Sequence, residues 1–206
     1  MKPFDKDNIL LCDNHVLVVD KPPEIATQPD LCELAKAWVK KEFNKPGRVF
    51  LEPIHRLDKP ASGIVLFART SKALSRLQAQ MREREMEKIY TAWIEGCPEK
   101  ERGTLKHHLL HGSFRAEISP LGKEAILDYE VLKREKNKSY LRIQLHTGRY
   151  HQIRAQMAAI GCPILGDRKY GSSLPWKEGI ALCAMQLTFM HPVSRERVVV
   201  SLERQF

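Results

Sequence analysis

His55-Arg56-Leu57-Asp58-Lys59-Pro60-Ala61-Ser62-Gly63 runs directly into Ile64-Val65-Leu66-Phe67-Ala68. The first nine residues are polar and carry Pro and Gly, the composition of a turn or loop. The next five are an unbroken apolar run, short enough for a buried strand. Asp58 therefore stands between two cations, Arg56 and Lys59, just ahead of a core strand. A rigid strand with a loop at its end combines accurate positioning with access, the usual setting of a reactive group. An Asp in such a turn also commonly caps it by accepting backbone N–H bonds. On pattern alone the two readings stand level.

Working outward, Val16–Val19 has the look of a second buried strand, entered through an Asp13-Asn14 turn and ended by Lys21-Pro22-Pro23. Asp30 with Glu33 fits a capping box. Leu31, Leu34, Ala35, Trp38, Val39 and Phe43 follow at helical spacing, so a helix is predicted over 31–43. The strand at 64–69 ends at Thr70-Ser71, both good N-caps. A second helix follows, with Leu74, Leu77 and Met81 on one face. Its Arg76, Arg82 and Arg84 read as a solvated face with the capacity to touch phosphate.

From Lys88 the pattern turns to strands: Ile89–Ile94, Gly103–Leu110, Ala125–Leu132 and Tyr140–Leu145, expected as an antiparallel meander. Tyr150–Ile160 returns to helical spacing, with Gly161 and Pro163 as stop signals. Ile180–Phe189 and Arg197–Leu202 close the chain as strands. Strands and helices mixed around a long β run predict an α+β domain on a mixed, mainly antiparallel sheet, a single domain over residues 1–206.

Composition narrows the partner. Lys and Arg number 34 against 25 Asp and Glu, a net charge of +9 and a pI near 9.4. Such an excess favours a polyanion, because each neutralised phosphate releases condensed counterions. The five cysteines are odd in number and widely spaced without a C-x-x-C pair, which points to reduced thiols in a cytoplasm. No apolar run approaches the ~18 residues of a membrane span, and Met1–Asp7 is too polar for a signal peptide.

A second marked stretch is His146-Thr147-Gly148-Arg149-Tyr150-His151-Gln152-Ile153-Arg154. It sits at a strand-to-helix transition, where free N–H groups and the helix dipole favour an anion. Arg154 neighbours the apolar Ile153 stripe, so it is placed to point inward. A buried Arg needs a carboxylate, and Asp58 is the candidate, with some other acid on the surface as the competing choice.

Three segments together resemble the RluA family of pseudouridine synthases: H-R-L-D-x-x-x-S-G-I-V-L-F-A at 55–68, K-I-Y-T-A-W-I-E-G at 88–96 and T-G-R-Y-H-Q-I-R at 147–154. Gly161–Asp167, Lys169-Tyr170-Gly171 and Leu187–Pro192 also fit, in order. The resemblance implies a curved sheet flanked by helices and loops, with an RNA cleft. It implies that Asp58 is the catalytic carboxylate for turning uridine into its C-glycoside isomer. By the same resemblance Tyr90 stacks on the base and helps remove the C5 proton, and Arg154 pairs with Asp58. Arg56 enters the RNA stack as the nucleotide flips out, and His55, Arg149, His151 and Gln152 belong to the same RNA-facing set. No metal or organic cofactor is expected. The partner expected is RNA, either rRNA or tRNA, and the expected form is a cytoplasmic monomer with no membrane contact.

Ala61, Gln28 and Cys183 depart from the family's usual Thr, His and His, which bears on substrate choice rather than on the chemistry. The chain starts almost at the catalytic-domain strand, without the S4-like domain of many relatives, so RNA selection is expected from the catalytic domain. Other readings have less behind them. A non-catalytic RNA-binding protein would not need Asp58, Tyr90 and Arg154 together. A glycosidase would need a second carboxylate in a comparable motif. His107-His108-x-x-His111 lacks an acid or Cys to complete a metal set and reads as strand. His-Arg-Leu-Asp also occurs in kinase catalytic loops, but no glycine-rich phosphate loop precedes it here.

Overall fold

The computed structural model describes residues 4–203, so the first three residues of the polar start lie outside it. In chain order the elements begin with β1 (Ile9–Cys12), β2 (Val16–Lys21), α1 (Cys32–Glu42), β3 (Glu52–Pro53), β4 (Ser62–Ala68) and α2 (Ser71–Glu83). They continue with β5 (Glu87–Glu95), β6 (Arg102–His111), β7 (Ala116–Ile118), β8 (Lys123–Glu135) and β9 (Lys138–Leu145). Last come α3 (Gln152–Ala159), β10 (Leu182–Met190) and β11 (Arg197–Ser201). The chain divides into two compact units, one holding residues up to Met86 with Gln186–Glu203, the other Glu87–Met185.

The first unit is built on β4, all seven of whose residues are buried. Such a strand must be covered on both faces, which its continuous apolar run foretells. β2 pairs with it antiparallel, from Val16 opposite Ala68 to Lys21 opposite Gly63, and β1 pairs with β2. β3 adds two residues along the end of β4, and the end of β10 pairs with β11. One core joins Val16, Val18, Ile64 and Leu66 to Ala73 and Leu77 of α2, and to Leu187 and Phe189. The hydroxyl of Thr70 accepts from the Ala73 amide at 3.1 Å, the predicted N-cap.

Helix α1 starts differently from the sequence expectation. Thr27–Leu31 already forms a helical turn, and the Asp30 carboxylate lies back toward the Ala26 amide at 3.4 Å. Asp30 is thus inside a turn rather than at the helix entry, and no capping box forms. The stripe that is buried is Leu31, Ala35 and Val39, at i, i+4, i+8, while Leu34 and Phe43 stay exposed.

The second unit is an antiparallel sheet in the order β5-β9-β8-β6-β7. It is not a simple meander: β5 skips β6 and pairs with β9, Tyr90 facing Ile143. Ile89–Ile94 of β5 are all buried, so both faces of this strand are covered. α3 packs against β6 and β7. Ala155 of α3 joins Leu109, Ala116 and Ala125 in this unit's core. The two strand-and-helix units keep the α+β class with a mainly antiparallel sheet.

Candidate active site

In the first unit the stretch 55–61 is a loop held at several points before β4 begins. The Thr27 hydroxyl accepts from the Leu57 amide at 3.1 Å and donates to the Leu57 carbonyl at 3.2 Å, so one side chain satisfies both backbone groups of that residue. His55 Nε2 accepts from the Leu66 amide at 3.3 Å, tying the loop to β4. Lys21, fully buried, donates to the carbonyls of Lys59 (3.1 Å), Ile25 (2.8 Å) and Pro22 (3.0 Å). A buried ammonium is tolerable only when its donors are used in this way. The turn closes with the Ala61 amide donating to the Asp58 carbonyl at 3.0 Å. Between the buried Leu57 and the exposed Lys59, Asp58 is half-buried, and Arg56 is exposed. The loop therefore presents Arg56 and Asp58 while anchoring Leu57.

The second unit carries the other predicted residues. Tyr90 is buried on β5. The 146–154 stretch is organised by Gln152, whose Oε1 accepts from the Arg149 amide (3.0 Å) and the Thr147 hydroxyl (2.7 Å). Its Nε2 donates to the Ile126 carbonyl at 3.0 Å, so this side chain sews the turn to β8. The Arg149 amide, at this strand-to-helix transition, is thus occupied from within. Arg149 itself donates from Nε to the Glu124 carbonyl at 2.9 Å. His151 occupies the left-handed region at φ 51°, stacks on Tyr150 with ring centroids 3.8 Å apart, and meets the Tyr170 hydroxyl at 2.9 Å through Nδ1.

Arg154 points inward as expected, only 4% exposed. Its Nε and Nη2 meet the two carboxylate oxygens of Asp167 at 2.6 and 2.8 Å, a bidentate fork. Tyr170 lies under the guanidinium, 5.1 Å from Cζ to the ring centroid. Asp167 is itself buried, so the acid that the competing reading placed at the surface is an interior one. The Gly166-Asp167 dipeptide stood in the sequence as a motif, but nothing local ties position 167 to position 154.

Lys88 opens the 88–96 motif, but its sequence context assigns it no role of its own. It is half-buried on β5, and burial lowers the pKa of its ammonium. Among the described residues no acid pairs with it. The histidines of the 107–111 stretch are spent separately: His107 Nδ1 lies 3.1 Å from Gln156 Nε2, and His111 packs on Tyr150 with centroids 4.1 Å apart.

Residues 15–159 match the family model described as RNA pseudouridylate synthase. A dual-specificity RNA pseudouridine synthase RluA of Haemophilus influenzae is 36% identical, over 97% of this chain and 94% of its own. The RluA of Pasteurella multocida is 37% identical over 92% and 89%. Among solved structures, human RNA pseudouridylate synthase domain containing 4 superposes with a TM-score of 0.82 at 20% identity, covering 96% of this chain and 88% of that one, a likeness of fold. The chain belongs to the RNA pseudouridylate synthase family. It is an isomerase that converts uridine to pseudouridine in RNA. No helix among the described residues is long and apolar enough to cross a membrane.

Proposed function

We propose that Asp58 is the carboxylate of this isomerisation and that the substrate is a uridine in structured rRNA or tRNA. The observation that carries the assignment is a half-buried acid at the mouth of the fully buried β4, in a loop whose neighbours are pinned by Lys21, Thr27 and His55. The reaction breaks the N1–C1′ bond, turns the base and forms a C5–C1′ bond. The C5 proton leaves and N1 regains one, so the composition of the nucleotide is unchanged. A carboxylate beside C1′ traps or stabilises the oxocarbenium-like sugar, as glycosidase acids do. Tyr90 stacks on the base and assists loss of the C5 proton. Arg154, its planar fork fixed by Asp167, is the cationic member of the catalytic set.

Extruding the base costs a few kcal/mol. Arg56, exposed beside Asp58, is suited to fill the vacated place in the stack, because a guanidinium plane substitutes for a base. Arg149 and His151 contact RNA, with His55 and Gln152 acting through the loops they hold. The whole of residues 1–206 works as one catalytic domain, a cytoplasmic monomer needing no cofactor.

The test is incubation with total tRNA and rRNA followed by mapping of pseudouridine at nucleotide resolution. New pseudouridine at discrete sites is expected from the wild type and none from Asp58→Asn, which keeps the side-chain shape and removes the charge. Turnover by the Asn protein, purified clean of wild type, would refute the assignment.

A further inference from the structure

We infer that Lys88 is an anion-binding residue that receives a phosphodiester of the RNA beside the target nucleotide, a role resting on the placement of Tyr90 proposed above. The inference starts from the strand. Lys88 and Tyr90 are two apart on β5, so their side chains leave the same face, and their Cα atoms are about 7 Å apart along the strand. Opposite Lys88 on β9 is Leu145, an apolar neighbour that offers the ammonium nothing.

The cation's own surroundings point to a ligand. Several cations nearer the surface of this unit are matched with acids: Arg102 with Glu130, Arg115 with Glu117, and Lys133 and Lys138 with Glu135. Lys88 is more buried than these, yet among the described residues it has neither an ion pair nor a hydrogen-bond acceptor. The only cause acting on its pKa is desolvation, with no charged group contributing. A desolvated, unpaired ammonium raises the energy of the free protein, and such groups collect where a ligand will supply the missing charge.

Space for that ligand comes from Gly148. A Cβ added there would lie 3.6 Å from Lys88 Nζ, in contact with it. With glycine at 148 no side chain from that position touches the ammonium. Arg149 follows immediately in the chain, its Nε held on the Glu124 carbonyl, a second cation next to Gly148 in sequence. Lysine presents a compact point charge, which suits a phosphate oxygen better than the planar edge of a base.

A phosphodiester is present in both ground and transition states, whereas charge on the departing uracil appears only after bond cleavage. Removing a phosphate contact therefore weakens binding, and removing a contact to the departing base slows the chemical step. The experiment measures, for wild type, Lys88→Met and Lys88→Arg, the affinity for bulk tRNA and bulk rRNA across a salt series, with pseudouridine formation by the same proteins. Expected for Lys88→Met is a several-fold weaker Kd, a KM that rises more than kcat falls, and a log–log salt slope shallower by about 0.7. Lys88→Arg, which restores the charge, should recover that slope. Unchanged affinity and slope in Lys88→Met would overturn the inference. So would a fall in kcat with Kd and slope intact, which would assign the cation to the departing base. If Lys88→Met melts early, the folded Lys88→Arg decides: failure to recover the wild-type slope counts against a phosphate. None of these outcomes bears on Asp58, whose test is the loss of turnover in Asp58→Asn.

Discussion

The residue on which charge and shape can be separated is Arg154. Its fork with Asp167 is buried at both ends, with side chains 4% and 1% exposed. Truncating one partner of such a pair leaves the other as an uncompensated buried charge, at a cost of about 3–5 kcal/mol. Arg154→Ala and Asp167→Ala should each lose that order of stability in denaturant melts, and the double mutant should lose much less than their sum. Additive losses would mean that the fork contributes no coupling. Arg154→Lys keeps the charge but gives up the planar double contact, so it should recover more stability than turnover. Equal recovery of both would argue that Arg154 has no part in orienting Asp58. A cycle between Asp58→Asn and Arg154→Ala tests that link directly: no coupling beyond error in turnover or stability would leave Arg154 serving Asp167 alone.

At the scale of elements, what could be read from the sequence is what has a local period. β4 and α2 emerged within about two residues because an unbroken apolar run and a 3.6-residue stripe are encoded in neighbouring residues. β8, β9 and α3 were legible for the same reason. β7, three residues long between polar turns, had too little pattern to register, as did β1 and β3. The pairing of β5 with β9 was missed because alternation states which face is buried, not which strand lies alongside. The site divides in the same way. Asp58, Tyr90 and Arg154 lay in long local motifs, whereas the Arg154–Asp167 fork joins residues 13 apart and Lys88's isolation is a fact about what is not near it. The Asp30 capping box failed since an equally local Thr27–Leu31 turn claimed the residue first.

Two elements offer direct tests. Thr70→Ala removes the side-chain cap of α2 and should cost roughly 0.5–2 kcal/mol in a denaturant melt. No loss would mean that α2 is held by its packed face alone. The second test concerns Asp13, which closes the β1–β2 turn by accepting from the His15 and Val16 amides at 2.6 and 2.8 Å. It also meets His191 Nε2 at 3.0 Å, at the head of the β10–β11 turn. Desolvation by burial pushes its pKa up, but the two amides and His191 outweigh this, and the net shift is downward. A carboxyl whose folded pKa lies below its unfolded value, near 3.9, stabilises the fold above that value. The contribution disappears as pH falls through the folded pKa. Melts of wild type should therefore lose stability below about pH 4, and Asp13→Asn should lose less over the same interval. Identical acid profiles would exclude Asp13 from the titration.

For the whole molecule the governing quantity is charge, +9 over 206 residues, and its consequence is a salt dependence that no single residue carries. Single-stranded RNA releases counterions so that log K falls with log salt by about 0.7 for each phosphate neutralised. A site that works as proposed, opening a structured RNA, inserting Arg56 and docking neighbouring phosphates, needs several such contacts, so the slope should be several units. Net charge by itself would draw in any polyanion, including duplex DNA, with a slope that ignores the nature of the strand. The informative measurement is therefore a pair of titrations, bulk tRNA and a DNA duplex of similar length, each from low to physiological ionic strength. Steep slopes for both, with the RNA retaining the tighter Kd at physiological salt, would mean that charge brings RNA in and the site discriminates. A flat RNA titration would contradict an electrostatic contribution to substrate binding. Equal affinities at physiological salt would show that non-specific attraction accounts for all the binding, leaving selection to the chemical step. Asp58→Asn belongs in the same series. If the acid acts on the sugar and not on phosphate, as proposed, losing one negative charge should leave its RNA slope unchanged and its affinity equal to or slightly above that of wild type. A clear loss of affinity in Asp58→Asn would instead show that the carboxylate holds the RNA-binding surface together.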